Sequence, residues 1–167
     1  MKVILLNGSP KSKGCTYTAL KIIEKELINE GIEVKFYEVG NKPVIGCIGC
    51  NGCRKLGKCI HNDLVNEVSK EMESADGFIV GSPVHYASAS GAATSFLDRL
   101  FYSTDKNYLR HMFGASIISC RRGGASAAFD QLNKYFTINE MPIVSSVYWN
   151  QIHGNTPEEV VQDLEGV

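Results

Sequence analysis

The first residues that could do chemistry lie between an apolar run at residues 3–6 and a helical pattern that starts at Thr16. Ser9, Ser12 and Thr16 supply hydroxyl donors there, and Lys11 supplies positive charge. The first N–H groups of a helix lack partners, and the helix dipole favours negative charge at that end. The segment is neither a P-loop nor a Gly-x-Gly-x-x-Gly turn, so a plain strand-to-helix connection stays open. Its donors favour a phosphate site.

Two further polar segments follow apolar runs later in the chain. They consist of Pro83, Val84, His85 and Tyr86, and of Arg121, Arg122, Gly123 and Gly124. The first segment combines an aromatic ring, an imidazole and backbone amides around a proline. This set suits a flat polar ring that needs edge hydrogen bonds and a stacking face. The second supplies guanidinium groups, and glycines that let the backbone approach a ligand closely.

Four of the six cysteines form a third group, with the spacing C-x2-C-x2-C-x5-C at Cys47, Cys50, Cys53 and Cys59. In a cytosolic protein such a pattern favours metal over disulfides. The spacing resembles ferredoxin-type ligation of a [4Fe–4S] cluster. Two alternatives stay open. One is a packed loop or redox-labile dithiol without metal, and the other is zinc, for which three closely spaced ligands are crowded.

Several other reactive residues are expected to be structural. Cys15 and Cys120 are interpreted as site-lining or buried thiols rather than metal ligands. His61 is expected to be a loop residue that precedes a helix cap. Asp98 and Arg99 are expected to form an ion pair at a helix surface or subunit contact.

Apolar periodicity places these groups on alternating strands and helices. Strands are predicted at residues 3–6, 32–39, 78–81, 115–120 and 142–144, with helices between them. This order predicts an α/β, flavodoxin-like, doubly wound parallel sheet of five strands in the order 2-1-3-4-5, with helices on both faces. The polar segments would then meet at the carboxyl edge of the sheet, where such folds bind ligands.

Composition narrows the class of protein. A net charge of −1 and a hydrophobic content of 44% predict one globular domain over residues 1–167 and exclude an electrostatic case for nucleic acid. The cysteines belong to an insertion at about residues 41–62. No apolar stretch has membrane-spanning length and no secretory signal is recognisable, so a cytoplasmic protein without a membrane partner is expected. A capping box at residues 156–159 predicts a last helix.

The motifs as a set resemble the NAD(P)H-dependent FMN reductase family of flavodoxin-like proteins. The resemblance rests on Gly-Ser-Pro-Lys from residue 8, Gly-Cys-Thr from residue 14, Gly-Ser-Pro-Val-His-Tyr from residue 81, Phe-Leu-Asp-Arg from residue 96 and Arg-Arg-Gly-Gly from residue 121. It implies that the FMN phosphate is held by Ser9, Lys11, Ser12, Cys15 and Thr16. It also implies that residues 83–86 and 121–124 line the isoalloxazine.

The chain differs from its relatives at two positions of these motifs, and its cysteine loop adds a second resemblance. Cys15 stands where relatives often have Asn, and His85 stands where Tyr is common. The loop with Cys47, Cys50, Cys53 and Cys59 resembles the iron–sulfur flavoprotein branch of the family, in which a [4Fe–4S] cluster accompanies FMN. Relatives usually continue into another helix after the last one predicted here, so we expect the chain to stop short of it.

The function that the resemblance implies is an FMN-dependent oxidoreductase. NAD(P)H as co-substrate would reduce FMN, and electrons would pass to a small-molecule acceptor such as a flavin or a quinone. The alternatives are an iron–sulfur flavoprotein electron carrier and a non-enzymatic flavodoxin-like redox partner. A homodimer or homotetramer is also implied, with residues 90–102 and 148–153 at or near its interface.

Overall fold

The computed structural model describes residues 1–162. Its strands are β1 (Lys2–Asn7), β2 (Glu33–Glu38), β3 (Gly77–His85), β4 (Ser88–Ala89), β5 (Phe113–Cys120) and β6 (Gln151–His153). Its helices are α1 (Cys15–Asn29), α2 (Cys53–Leu56), α3 (Leu64–Met72), α4 (Gly91–Ser103), α5 (Lys106–Leu109), α6 (Ala125–Thr137) and α7 (Pro157–Gln162). The predicted last helix is therefore present as α7, and residues 163–167 lie outside the described part of the chain.

The sheet confirms the predicted flavodoxin-like α/β fold. Its parallel strands run in the order β2-β1-β3-β5-β6, and the short β4 pairs antiparallel with β3. The numbering differs from the predicted order only because β4 adds a strand off the main path. Central β1 is a continuous apolar run in which Ile4, Leu5 and Leu6 are fully buried, as expected for a strand covered on both faces.

The last strand differs from its prediction at residues 142–144. There the chain makes only one bridge, between Ile143 and Gly114, and the strand proper is β6, which pairs with residues 118–120 of β5. Between the two pairings, Ser146 exchanges hydrogen bonds with the backbone N–H and C=O of Tyr148. Such local side-chain bonds compete with ladder pairing, so the edge strand is interrupted rather than continuous.

Helices cover both faces of the sheet. On one face α1 packs against α7, around Ala19, Ile152 and Val160. On the other, α3, α4 and α6 enclose the larger core, which includes Phe78 and Phe136. Within the described residues, no helix is both long and apolar enough to cross a lipid bilayer.

The cysteine-rich segment lies between β2 and α3. Its only helix is α2, a single turn that begins at Cys53 and ends before Gly57, whose φ of 66° lies in the left-handed region. Glycine adopts this conformation without the steric penalty of a side chain, so the loop can reverse there. Asp63 then caps α3 by accepting a hydrogen bond from the Val65 N–H at 3.1 Å.

Candidate functional site

Four loops at the carboxyl edge of the sheet enclose a cleft, which we call the edge cleft. They follow β1, β3, β5 and β6. The residues that line the cleft are Ser9, Pro10, Lys11, Gly14, Cys15, Thr16, Pro83, Val84, His85, Ser119, Cys120, Arg121, Gly154 and Asn155. The structure thus brings the predicted phosphate loop together with part of both predicted ring-lining segments.

Two local hydrogen bonds hold the loop after β1 next to the start of α1. The Ser9 N–H donates to Asn7 Oδ1 and the Lys11 N–H donates to Ser9 Oγ, each at 3.1 Å. Helix α1 begins after Gly14, which offers no side-chain cap, so the amides of the first helical turn remain available. An anion at this position would accept hydrogen bonds from those amides and would be stabilised by the helix dipole.

Gly8 fixes how closely this loop can approach the rest of the sheet. A Cβ at this position would lie 2.6 Å from Ala93 Cβ and 2.9 Å from the Gly81 carbonyl oxygen. The Gly8 N–H donates to that same carbonyl at 2.8 Å, and its own C=O accepts from Ser90 Oγ at 2.6 Å. Only glycine fits here, and the contact joins the loop to the N-terminus of α4.

Two hydroxyl groups meet deep in the edge cleft. Thr16 Oγ1 and Ser119 Oγ lie 2.7 Å apart, and both residues are buried. The carboxyl ends of β1 and β5 are thereby linked through the first turn of α1. Ser119 was not among the predicted site residues, although it ends a predicted strand at the correct edge.

Cys15 lies at the first position of α1. Its thiol points to the Gly154 carbonyl, with 3.6 Å between sulfur and oxygen. Burial raises the pKa of this thiol, and the hydrogen bond from its own backbone amide and the nearby Lys11 charge only partly oppose that rise. Cys15 thus lines the cleft, and burial favours the protonated form of its thiol.

The predicted ring-lining segments are only partly in the edge cleft. Pro83, Val84, His85 and Arg121 line it, whereas the other four residues of these segments, Tyr86, Arg122, Gly123 and Gly124, do not. Ser12, predicted to hold the phosphate, also lies outside the lining. Tyr86 occupies a turn with a φ of 52° and is fully exposed.

Sequence reasoning missed Gly154 and Asn155. Both follow β6, so they become visible as site residues only when the last strand is placed correctly.

The four clustered cysteines line a second cavity of about 510 Å³, which we call the cysteine cavity. Cys47 and Cys50 are exposed, Cys53 and Cys59 are half-buried, and none of the four is in a disulfide within the described chain. Asp98, Arg99, Tyr102 and Ser103 from the second half of α4 complete much of its wall. The cysteine cavity shares no lining residue with the edge cleft.

Arg99 forms the floor of the cysteine cavity, and here the sequence expectation was wrong. Asp98 and Arg99 do not pair at a helix surface. Arg99 is buried and forms a bidentate ion pair with Asp63, with Nη–Oδ distances of 2.7 and 2.8 Å, while its Nε–H donates to Cys59 Sγ at 3.3 Å. Asp98 instead accepts a hydrogen bond from the Tyr135 hydroxyl at 2.5 Å. Adjacent helical residues point in different directions, which separates the two side chains.

The ion pair also shifts the ionisation of Asp63. Burial raises the pKa of this carboxyl, but the hydrogen bonds from Arg99 and from the Val65 amide outweigh burial, so the pKa lies below its usual range. The charged carboxylate is therefore the stable form near neutrality.

His61 lines the cysteine cavity and also has a buried ring nitrogen, Nε2, without a hydrogen-bond partner among the residues described. Its backbone C=O, by contrast, accepts from Asn66 Nδ2 at 3.0 Å. A buried polar atom without a partner is unfavourable unless another group satisfies it. His61 is a loop residue, as expected, but it is also part of this cavity.

Comparison with known proteins identifies relatives over nearly the whole chain. The family model described as NADPH-dependent FMN reductase matches residues 1–156. An iron–sulfur flavoprotein of Methanocaldococcus jannaschii is 35% identical over 86% of this chain and 76% of its own length. A second iron–sulfur flavoprotein of that organism is 32% identical over 100% of this chain and 90% of its own length.

Solved structures agree on the fold. A flavodoxin from the domain Archaea superposes with a TM-score of 0.64 at 16% identity, covering 99% of this chain and 93% of that one. An NADH:FMN oxidoreductase in its apo form gives a TM-score of 0.66 at 18% identity, over 87% and 73% of the two chains. With the family match, these findings establish that the chain belongs to the NADPH-dependent FMN reductase family and is a flavodoxin-like flavoprotein of the oxidoreductase class.

Proposed function

We propose that this protein is an FMN-dependent oxidoreductase that takes electrons from NAD(P)H and also carries a [4Fe–4S] cluster in its cysteine cavity. The observation that carries the proposal is that Cys47, Cys50, Cys53 and Cys59 line one cavity. The names of the two Methanocaldococcus relatives, both iron–sulfur flavoproteins, support it.

FMN fits the edge cleft by the chemistry of its lining. Ser9, Lys11 and Thr16, with the first amides of α1, would hold its phosphate, since they combine hydroxyl donors, a cation and a helix N-terminus. Pro83, His85 and Arg121 would border its ring system. FMN, when bound, supplies two-electron chemistry with NAD(P)H and one-electron chemistry with other partners.

The donor set of the cysteine cavity, four thiols from one loop, fits the ligands of a [4Fe–4S] cluster. In the described part of the chain no three His, Cys, Asp or Glu side chains are grouped to hold one metal ion, so the proposal rests on the shared cavity and not on a preformed ion site. A zinc ion gathers its thiolates to about 2.3 Å from one point, whereas a four-iron cube lies between its ligands and binds each at a separate corner. The cluster, when bound, supplies a one-electron centre.

A second candidate is a plain FMN reductase, which passes electrons to a free flavin, a quinone or a similar small acceptor. The separation of the two cavities favours it, since the edge cleft is complete without the cysteine loop. Ser90 bonds to Gly8 beside the edge cleft, and Arg99 lies nine residues further along α4, about 13 Å at the rise of an α-helix. The two sites thus lie at different positions along α4, and electrons exchanged between them would cross that separation or pass through a neighbouring subunit.

We also propose that the chain works as a homodimer or homotetramer. Val147, Tyr148 and Trp149 are large side chains that are at least half exposed, and they follow one another beside β6. A contiguous exposed apolar patch next to a binding cleft is typical of a protein interface.

An anaerobic reductive titration tests the proposed function. The reconstituted full chain should accept about three electrons from dithionite, two at FMN and one at the cluster. The Cys47→Ser variant should lose the cluster or keep only a three-iron form, so its iron per chain should fall while its FMN is kept. NAD(P)H should bleach the flavin in both proteins. Cys120→Ser is the control for iron content alone, because Cys120 lines the edge cleft and not the cysteine cavity, and it should retain iron. Two electrons in the wild type would leave the plain FMN reductase as the function.

A further inference from the structure

Arg99 uses its whole guanidinium group to hold the cysteine loop. The side chain is only 1% exposed, and Nε donates to Cys59 Sγ. Nη1 donates to Asp63 Oδ2 and to the Ile45 carbonyl at 3.3 Å, while Nη2 donates to Asp63 Oδ1 and to the His61 carbonyl at 3.5 Å. All five N–H donors of the side chain therefore have a partner.

These partners lie on both sides of the cysteine motif. Ile45 precedes Cys47, whereas His61 and Asp63 follow Cys59. One rigid, planar group thus closes the loop at its two ends. Lysine cannot reproduce this, because an ammonium has three donors on a flexible stem and no fixed fork.

We propose that Arg99 is the positioning residue of the cluster site. It fixes Cys59 as the fourth ligand, and its Nε–H stabilises the Cys59 thiolate and so raises the reduction potential of the cluster. The inference rests on the cluster of the proposed function. Hydrogen bonds to ligand sulfurs and nearby charge set cluster potentials, and the reduced cluster carries one more negative charge. Asp63 balances the charge of Arg99 but leaves the N–H···S bond in place.

Two substitutions at Arg99 and one matched control test this role. Arg99→Lys keeps the charge but loses the fork, and Arg99→Gln loses both. Arg54→Gln is the control, because Arg54 lines the same cavity but is exposed. We expect Arg99→Lys and Arg99→Gln to lower the midpoint potential of the cluster, measured by EPR-monitored titration, and to reduce the iron retained per chain. FMN content should stay unchanged in all three variants, and the Arg54→Gln potential should shift less than the potentials of the two Arg99 variants, because the hydrogen bond to Cys59 Sγ comes from Arg99.

The outcomes separate this inference from the cluster proposal. If the wild type takes up no iron, both fail. If the wild type holds a cluster and the Arg99 variants keep its potential, only the role of Arg99 is rejected.

If both Arg99 variants fail to fold, a measurement on the wild-type protein tests the hydrogen bond from Arg99 to Cys59. The reduced cluster, in protein grown with arginine labelled with ¹⁵N in the guanidinium, should show a nitrogen coupling by pulsed EPR that persists in Arg54→Gln. The absence of that coupling would overturn the proposal.

Discussion

Thr16 is the residue at which the phosphate loop, the helix N-terminus and the end of β5 meet. Its hydroxyl contacts Ser119 in the edge cleft, so it is already oriented towards the space where we propose the FMN phosphate. Thr16→Ala removes one charge-assisted hydrogen bond, worth about 1.5–3 kcal/mol, which corresponds to a roughly 10- to 150-fold rise in Kd. Fluorescence titration of the apoprotein with FMN measures this change.

The control for the Thr16 variant is a substitution at Thr18, two residues further along α1. Thr18 is on the same helix, but its hydroxyl donates to the Gly14 carbonyl at 3.2 Å and does not line the cleft. Thr18→Ala should therefore bind FMN as the wild type does. Equal affinities for all three proteins would place the phosphate elsewhere.

Arg121 and Arg122 should have different effects on the flavin. Arg121 lines the edge cleft, whereas Arg122 is exposed outside it, and its carbonyl accepts from the Cys120 thiol at 3.5 Å. A guanidinium near the ring stabilises the anionic reduced flavin, so Arg121→Ala should lower the two-electron potential of bound FMN. Spectroelectrochemical titration should show a clearly smaller change for Arg122→Ala. Equal shifts in the two variants would contradict this placement of the ring.

At the level of single residues, the sequence predicted which side chains line the edge cleft better than it predicted which side chains contact each other. Residue types and loop order were enough to predict that Ser9, Lys11, Thr16 and Arg121 would share one edge of the sheet. The role of Arg99 could not be predicted, because its partners lie 36 to 54 positions away in sequence. No local spacing encodes such contacts.

At the scale of elements, Tyr135 joins α6 to α4 through its hydrogen bond to Asp98. Burial first, and then the hydrogen bond and charge of Asp98, raise the pKa of the Tyr135 hydroxyl. A raised pKa in the folded state stabilises the fold fully below about pH 10, the value in unfolded chains, and this contribution is lost as pH rises through the folded pKa.

Tyr135→Phe should therefore lower the free energy of unfolding by about 1–2 kcal/mol at pH 7. The difference from the wild type should shrink above about pH 10. Urea unfolding at several pH values and a fixed FMN concentration measures both effects. Tyr102→Phe is the control, because Tyr102 is 72% exposed on α4, and it should change stability by less than about 0.5 kcal/mol. A Tyr135→Phe protein as stable as this control would show that the bond contributes nothing.

The elements themselves were largely predictable from periodicity. The buried runs of β1, β3 and β5 and the one-sided helices gave the correct sheet order. The interrupted edge strand was not predictable, because the run at residues 142–144 is as apolar as a true strand. Its outcome depends on the local bonds of Ser146, which compete with pairing and displace β6 to Gln151–His153.

At the scale of the whole molecule, the exposed patch formed by Val147, Tyr148 and Trp149 should be covered in an oligomer. Multi-angle light scattering should give twice or four times the mass of one chain, and a Tyr148→Ser, Trp149→Ser double variant should shift the protein towards the monomer. Ile28→Ser is the control, since Ile28 is 56% exposed at the far end of α1. A wild-type monomer with full FMN occupancy would contradict the proposed assembly.

Metal content decides whether the cysteine cavity holds a [4Fe–4S] cluster in an FMN-binding chain. The most direct measurement is the content of iron, acid-labile sulfide and FMN per chain after anaerobic reconstitution. We expect about four irons, about four sulfides and about one FMN per chain. Replacing any one of Cys47, Cys50, Cys53 or Cys59 by Ser should lower the iron while FMN stays at about one. Iron well below one cluster per wild-type chain, with FMN fully bound, would contradict the proposed cluster.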